Sequence, residues 1–354
     1  MAERSIAQID EAEVKQIVAG QAVSDLSSCA KELIDNALDA KATNVQVKLI
    51  NQGYDAIEVS DNGTGISPEN RCLVATKHAT SKLRQFSDLY SEDSCSTLGF
   101  RGEALFCLAN VSESLCVTTR FGTERTAKKL WYTRNGQLDA SRTSQVARST
   151  VGTTVLISKL FAALPVRRVD MKKRLKSQRQ KLFQLIQSYA IICAGVRFHV
   201  TDVSTGKKGS KKVETKLATN ANSNVQQTIS CVLGSKFLSG LTSIKVDLSS
   251  CFSGERYESD VKIDSTTGSF RIEGFISRVP STNSFVSRDL QFFAINGRPV
   301  DLPIFSKALS EAWRIFDTSN SKKPACVLKL YLPNNAFDGK PIATFFIACQ
   351  ELAF

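Results

Sequence analysis

The chain has 354 residues, 42% hydrophobic and 23% charged, a balance that leaves room for two globular domains of ordinary size. Its first residues, MAERSIAQIDEAEVKQ, are polar and acidic, and no apolar run approaches the roughly 18–20 residues that span a bilayer, so neither a secretory leader nor a membrane anchor is expected. The formal charge of +12 favours a polyanionic partner such as nucleic acid.

Residues 11–22 and 24–40 read as two helices separated around Gly20. In the second, Leu26, Ala30, Leu33 and Ala37 form an apolar stripe at helical spacing, and Glu32 and Asn36 lie off it. Four residues apart, those two side chains project from one surface. A carboxylate beside a carboxamide suits a hydrated magnesium ion and an attacking water better than a hydrophobic core. VQVKLI (45–50) alternates as a strand, and AIEVSDNG (56–63) reads as a second strand ending in a turn. The run Asp61-Asn62-Gly63-Thr64-Gly65 offers one buried acceptor beside glycines that let a flat ligand approach the backbone. Helix and turn together describe a nucleotide site, with base recognition at one end and metal and phosphate at the other.

Residues 67–110 hold helices and two glycine-containing loops, and 114–120, 128–133 and 151–158 read as further strands of the same sheet. A strongly basic helix is expected from about 168 to 195. Residues 203–224 are polar and basic, a loop or hairpin leading to a domain boundary. From about 225 a second α/β segment follows, with strands near 242–248, 257–263, 269–277 and 290–295, a helix over 303–315 and a last strand over 325–332. Ten cysteines without a C-x-x-C pair, and only two histidines, His78 and His199, lack zinc-ligand spacing. Free thiols in that number fit a reducing compartment, cytosol or nucleus.

Five motifs then stand in one order: KELIDNALDA (31–40), SDNGTGI (60–66), KHATSKL (77–83), LGFRGEAL (98–105) and VGTT (151–154). This succession resembles the GHKL ATPases, and GFRGEAL with HATSK narrows the resemblance to MutL, the mismatch-repair ATPase, away from topoisomerases, Hsp90-type chaperones and histidine kinases. AGQAVSDLSS (19–28), with Gln21 where bacterial members usually carry Glu, is similar to the PMS-type subunit of eukaryotic MutL heterodimers. LFAALPVRR (160–168) and FFAINGRP (292–299) also resemble MutL elements, and the similarity reaches about Asp338.

The resemblance implies an α/β (α+β) fold: a GHKL (Bergerat-type) ATPase sandwich over 1–205, a basic linker over 206–224, a ribosomal-S5-like α/β domain over 225–338 and an atypical tail over 339–354. It implies ATP and Mg2+ as cofactors. Glu32 would be the general base that orients and deprotonates the water attacking the γ-phosphate, and Asn36 the magnesium ligand. Asp61 would accept the exocyclic amine of adenine, Thr153 would support the base through water, and Gly63 and Gly65 would form the floor under it. Thr80, Ser81, Lys82, Gly99, Phe100, Arg101, Gly102 and Glu103 would line the phosphates as a lid that orders around ATP and promotes dimerisation. Arg101 and Glu103 either contact the ligand or pair with each other; His78 reads as a lid-packing or hydrogen-bonding residue.

The implied partners are DNA, contacted through its backbone without sequence preference, a MutL-family subunit in a heterodimer, and a MutS-type mismatch-recognition complex. No membrane is implied, and the repair role places the protein in the nucleus. Arg167, Arg168, Lys172 and Lys173, in the basic run 166–181, are candidates for phosphate contact or for an ordinary solvated face. Lys207, Lys208, Lys211 and Lys212 would add a flexible arm, and Arg298 in the NGRP turn is the best single DNA candidate. In the family the second domain ends in a motif of the type V-N-V-x-P-x-K, whose lysine reaches the γ-phosphate. Here NNAFD (334–338) is followed by GKPIATFFIACQELAF, and Lys340 comes too early to stand in. The abrupt change at Asp338 is what an unspliced intron or mis-assigned exon would produce, which a transcript-to-genome comparison tests. The expectation is a chain that binds Mg-ATP and hydrolyses it weakly.

Overall fold

The computed structural model describes residues 10–80, 102–206, 210–221, 224–247, 271–278, 290–316 and 323–332. They fall into two compact units, one built from described residues between 10 and 186 and between 196 and 221, the other from 187–195 and from 224 onward.

The first unit carries helices α1 (Glu11–Ala22), α2 (Leu26–Asp39), α3 (Ala104–Val111), α4 (Pro165–Lys173) and α5 (Leu175–Ile192, whose last residues count with the second unit). Its strands are β1 (Asn44–Ile50), β2 (Ala56–Asp61), β3 (Ser114–Arg120), β4 (Ala127–Tyr132), β5 (Ser144–Val146), β6 (Gly152–Ser158), β7 (Arg197–Thr205) and β8 (Lys211–Ala218). They form one sheet in the order β5-β4-β3-β6-β2-β1-β7-β8, antiparallel except where β7 pairs parallel with β1. In β1, Val45, Val47 and Leu49 are buried while Gln46 and Lys48 face the other way, the alternation expected of a sheet with one covered face. The same period in β2 places Ile57, Val59 and Asp61 on one buried row.

α2 starts at a capping box: Asp25 Oδ1 accepts from Ser28 N at 2.7 Å and Ser28 Oγ accepts from Asp25 N at 2.9 Å. Its stripe Leu26, Cys29, Ala30, Leu33, Ile34 and Ala37 is buried, and the helix packs on β2. The break between α1 and α2 falls at Val23–Asp25, not at Gly20, which stays inside α1. Arg167 explains the position: its guanidinium donates to the carbonyls of Gly20, Val23 (3.1 Å) and Ser24 (2.6 Å), and a side chain at Gly20 would crowd it. The expected basic helix is two, α4 with Pro165 in its first turn and α5, meeting at Arg174. On α5, Leu182, Ile186 and Tyr189 are buried at helical spacing. β7 and β8 pair antiparallel, with β8 a largely exposed edge strand carrying Lys211, Lys212 and Lys216, while Lys207 and Lys208 lie outside the described residues.

The second unit holds α6 (Val225–Leu233), α7 (Ser235–Ser239), α8 (Pro303–Phe316) and strands β9 (Leu241–Asp247), β10 (Arg271–Ser277), β11 (Gln291–Ile295), β12 (Arg298–Val300) and β13 (Cys326–Tyr331), in the order β12-β11-β13-β10-β9. Neighbouring residues of β11 feed opposite faces. Phe293 packs edge-on against Phe305 of α8 at 5.3 Å, while Phe292 and Ala294 join Ile229, Phe237 and Val327. The hairpin from β11 to β12 turns at Asn296-Gly297, both at positive φ, as a two-residue turn requires. The strand expected over 257–263 lies outside the described residues. No helix among the described residues is long and apolar enough to cross a membrane.

Leu49 is fully buried on β1, between β2 and β7. Leu49→Ala is expected to cost about 2–5 kcal/mol, read as a lower urea midpoint with an unchanged slope.

Candidate nucleotide site

At 9% exposure Asp61 is a carboxylate within the covered side of a sheet. Two backbone donors converge on one of its oxygens: Gly63 N at 2.8 Å and Thr153 N at 3.2 Å, both to Oδ1. Oδ2 accepts no hydrogen bond from the described residues, which leaves an acceptor open to an incoming donor. Burial raises the Asp61 pKa above the ordinary carboxylate value, opposed by the Gly63 and Thr153 amides and by the charge of Arg148. A Cβ at Gly63 would press on Ala40, and at Gly65, where φ is +73°, on the Arg120 carbonyl, so both positions keep the backbone bare. Asn62 is structural: its Oδ1 accepts from Thr43 N (2.9 Å) and Asn44 N (2.8 Å), tying the turn to the start of β1.

The Thr153 hydroxyl lies 3.2 Å from that of Thr119, which also accepts from Ile66 N at 2.9 Å. Thr119, Arg120 and Arg148 are site-bordering residues that sequence reasoning missed. Arg148 donates to the Asp61 carbonyl and to Thr154 Oγ1, each at 2.6 Å. Arg120 donates to the carbonyls of Arg148 (2.9 Å) and Ser149 (2.6 Å).

Glu32 and Asn36 stand on successive turns of α2, both half-buried, next to the Lys31–Asp35 pair (2.6 Å), whose carboxylate is buried and whose ammonium is exposed. The charge of Glu32 reaches two thiols. Burial first, then Glu32 and Asp25, raise the Cys29 pKa, and Cys107 of α3 is pushed up to about 11 by burial, Glu103 and Glu32 against Lys77. Glu32, Lys77 and Glu103 therefore act on one place at the start of α3. Residues 78–79 and 102–103 also meet: His78 Nδ1 lies 3.2 Å from Glu103 Oε1, and Gly102, at φ +61°, stands against the Ala79 carbonyl. Thr80 is half-buried beside this stem. Ser81, Lys82, Gly99, Phe100 and Arg101 lie outside the described residues.

Among the basic candidates, Arg167 sits on the α1–α2 carbonyls and 4.2 Å from the Phe161 ring. Arg168 donates to Leu160 O at 2.8 Å and stacks 3.8 Å over Tyr54, with Lys172 at 5.9 Å from the same ring. Lys173 ends α4 exposed, and Arg298 follows the Asn296-Gly297 turn in the second unit.

The raised pKa of Asp61 fixes a pH dependence. The folded state holds this proton more tightly than the unfolded chain, so stability falls as pH rises from the ordinary carboxylate value through the raised one and stays at the lower level above it. Asp61→Asn, which keeps an Oδ1 acceptor, is expected to remove that slope and raise Tm at neutral pH by a few degrees, checked by thermal melts from pH 4 to 8.

Residues 24–153 match the family model described as histidine kinase-, DNA gyrase B- and HSP90-like ATPase, and residues 248–339 match the C-terminal domain of DNA mismatch repair proteins. The chain is 38% identical to the DNA mismatch repair protein PMS1 of Arabidopsis thaliana over 92% of its own length and 32% of that protein's. It is 33% identical to the mismatch repair endonuclease PMS2 of Homo sapiens, over 95% and 37% respectively. It thus spans about a third of the length of these curated relatives. The solved N-terminal domain of a DNA repair protein superposes with TM-score 0.79 at 32% identity, covering 96% of both chains. The Aquifex aeolicus MutL ATPase domain complexed with ADP shares the fold, with TM-score 0.56 at 22% identity over 94% of this chain and 97% of that one. With a GHKL ATPase sandwich followed by an S5-like α/β domain, the chain belongs to the MutL family of DNA mismatch-repair proteins, as a PMS-type N-terminal region.

Proposed function

We propose that this region is the ATP-driven switch of a mismatch-repair protein, with residues 1–205 binding and hydrolysing ATP and 225–338 coupling that cycle to DNA. The observation that carries the reading is Asp61. A buried carboxylate with one oxygen held by backbone amides and the other open suits the exocyclic amine of adenine, where guanine presents a carbonyl. The ADP in the Aquifex MutL structure is consistent with this. Thr153 supports the base through water, and Gly63 and Gly65 lie under it.

At the other end Glu32 orients the attacking water and takes its proton. Its half-buried setting on a rigid helix suits a general base, because phosphoryl transfer asks mainly for positioning and charge. Among the described residues no cluster of three acidic or thiol ligands could hold a metal alone. Magnesium binds through one or two side chains plus substrate phosphates and water, and Asn36 is the side chain that would hold it. When bound, magnesium neutralises charge on the phosphates. Thr80, Gly102 and Glu103, with Ser81, Lys82, Gly99, Phe100 and Arg101, line the phosphates as a lid. The closed stem from His78 to Glu103 supports this reading.

Lid ordering then drives closure with a MutL-family partner. The helix α1 presents Val14, Ile17 and Val18, 42–50% exposed at helical spacing, an apolar stripe suited to such an interface. DNA contact is through phosphates, with Lys172, Lys173 and Arg298 as leading residues, and Arg167 and Arg168 shared between DNA and their internal partners. Recruitment by a MutS-type complex and nuclear residence complete the proposal.

A second reading rests on the sequence after Asp338, which lacks the family's phosphate-reaching lysine: an ATP-sensing, DNA-binding fragment with weak turnover. Turnover separates the two. Glu32→Ala is expected to lower steady-state hydrolysis by about 10²–10³-fold with Mg-ATP affinity retained. If the unmodified chain binds Mg-ATP yet turns over no faster than Glu32→Ala, and a V-N-V-x-P-x-K ending restores hydrolysis, the fragment reading holds. For DNA, each phosphate contact removed by Lys172→Ala or Lys173→Ala is expected to reduce the slope of log affinity against log salt by about 1.

A further inference from the structure

We propose that Arg148 is a positioning residue for base recognition: its guanidinium holds the last peptide of β2 so that Asp61 presents Oδ2 to the exocyclic amine of the base. The inference rests on the nucleotide reading of Asp61 and adds a residue that none of the five motifs contains.

The ladder between β2 and β6 ends at the pair Ser60–Thr154. Asp61 is one residue beyond it: β1 still pairs with it at Val45, but on its other side β6 no longer does. Arg148 takes over there. Nη2 donates to the Asp61 carbonyl at 2.6 Å, Nη1 to Thr154 Oγ1 at 2.6 Å, and Nε to Thr150 O at 3.1 Å. Thr154 Oγ1 lies 2.7 Å from Ser60 Oγ, so one planar fork ties β2, β6 and its own loop together. Arg120, holding the carbonyls of Arg148 and Ser149, fixes that loop in turn. The approach is close enough that a Cβ at Gly152 would collide with the Asp61 carbonyl. Of these five hydrogen bonds, one from Arg148 reaches the peptide whose side chain is the recognition group, one reaches Thr154 on β6, and three hold the loop that carries Arg148.

Arg148 also supplies charge. Among the described residues it is the charged group acting on the Asp61 carboxylate, and Arg120 is the further charge acting on Arg148. A neutral residue at 148 therefore does two things: it releases the side of the peptide that β1 does not hold, and it favours the protonated carboxyl. An inert clamp would do only the first, and would disturb the whole site alike.

The test compares the full chain with Arg148→Met, Arg148→Lys and Asp61→Asn, measuring affinity for Mg-ATP, Mg-GTP and magnesium tripolyphosphate from pH 5.5 to 8. Arg148→Met is expected to weaken ATP binding by about tenfold or more, the loss of one charge-assisted hydrogen bond, with tripolyphosphate affinity held within about twofold. Its preference for ATP over GTP should shrink, and the acid limb of ATP binding should move to higher pH. Arg148→Lys, which keeps the charge without the fork, should return the acid limb to its normal position with affinity only partly restored. Unchanged ATP affinity and selectivity in Arg148→Met, or parallel loss of ATP and tripolyphosphate with an unshifted pH profile, would overturn the proposal. If Arg148→Met fails to fold, Arg148→Lys decides alone: full ATP affinity with wild-type selectivity counts against the fork. Should Asp61→Asn also bind ATP as the unmodified chain does, the nucleotide reading of Asp61 itself fails, a separate outcome.

Discussion

A carboxylate on the covered side of a sheet is expensive, and the first unit is arranged around keeping one there. Strand alternation puts Asp61 in line with Ile57 and Val59, and desolvation opposes its charge. Two backbone amides and one arginine partly counter that penalty, and each imposes a condition on the chain. The Gly63 amide requires the turn after β2 to double back, which Asn62 secures by binding the start of β1. The Thr153 amide requires β6 to begin alongside β2, which bare Gly152 permits. The turn after β2, the start of β6 and the Arg148 loop thus all meet at one buried carboxylate.

The helical layer answers a different need. α2 carries Glu32 and Asn36 on one side while burying the other, and its start is anchored from two directions. At the start, Asp25 caps the helix, and Lys181 of α5 lies 2.7 Å from the same carboxylate. Burial would raise the Asp25 pKa, but Lys181 and Ser28 outweigh it and hold the group below its ordinary value. Arg167 then clamps the preceding junction by occupying carbonyls that the end of α1 leaves open. Position, rather than reactivity, is what these contacts supply to Glu32.

The parts of this arrangement visible in the sequence are those carried by periodicity or by spacing. Glu32 and Asn36 are four apart on an amphipathic helix, and Asp61 follows an alternating strand, so both sit where the pattern puts them. Arg148 leaves no such trace, because its main partners are backbone carbonyls, which every sequence offers equally. Charge alone also says nothing about direction: Arg167 reads as one of many basic residues, yet its guanidinium faces inward. The break at Arg174 lacks a glycine or proline to announce it. β8 escapes a period-two reading because nearly all of it is exposed, leaving no buried face to write an alternation. α6 opens in a polar stretch and is recognisable only by its cap, Asn224, which accepts from Gln226 N at 2.9 Å.

The parallel pairing of β1 with β7 has a consequence for how the chain reaches this state. β1 is among the first strands made, yet the neighbour on its second edge is residues 197–205, so the sheet stays open until most of the unit has emerged from the ribosome. Contacts so distant in sequence close slowly, because loop entropy is lost before the pairing compensates for it. During that interval Val45, Val47 and Leu49 lie along an unpaired edge, the kind of surface on which nascent chains associate. The finished sheet ends instead in the lysines of β8, so the hairpin that completes the fold also removes the segment most prone to pairing with another chain.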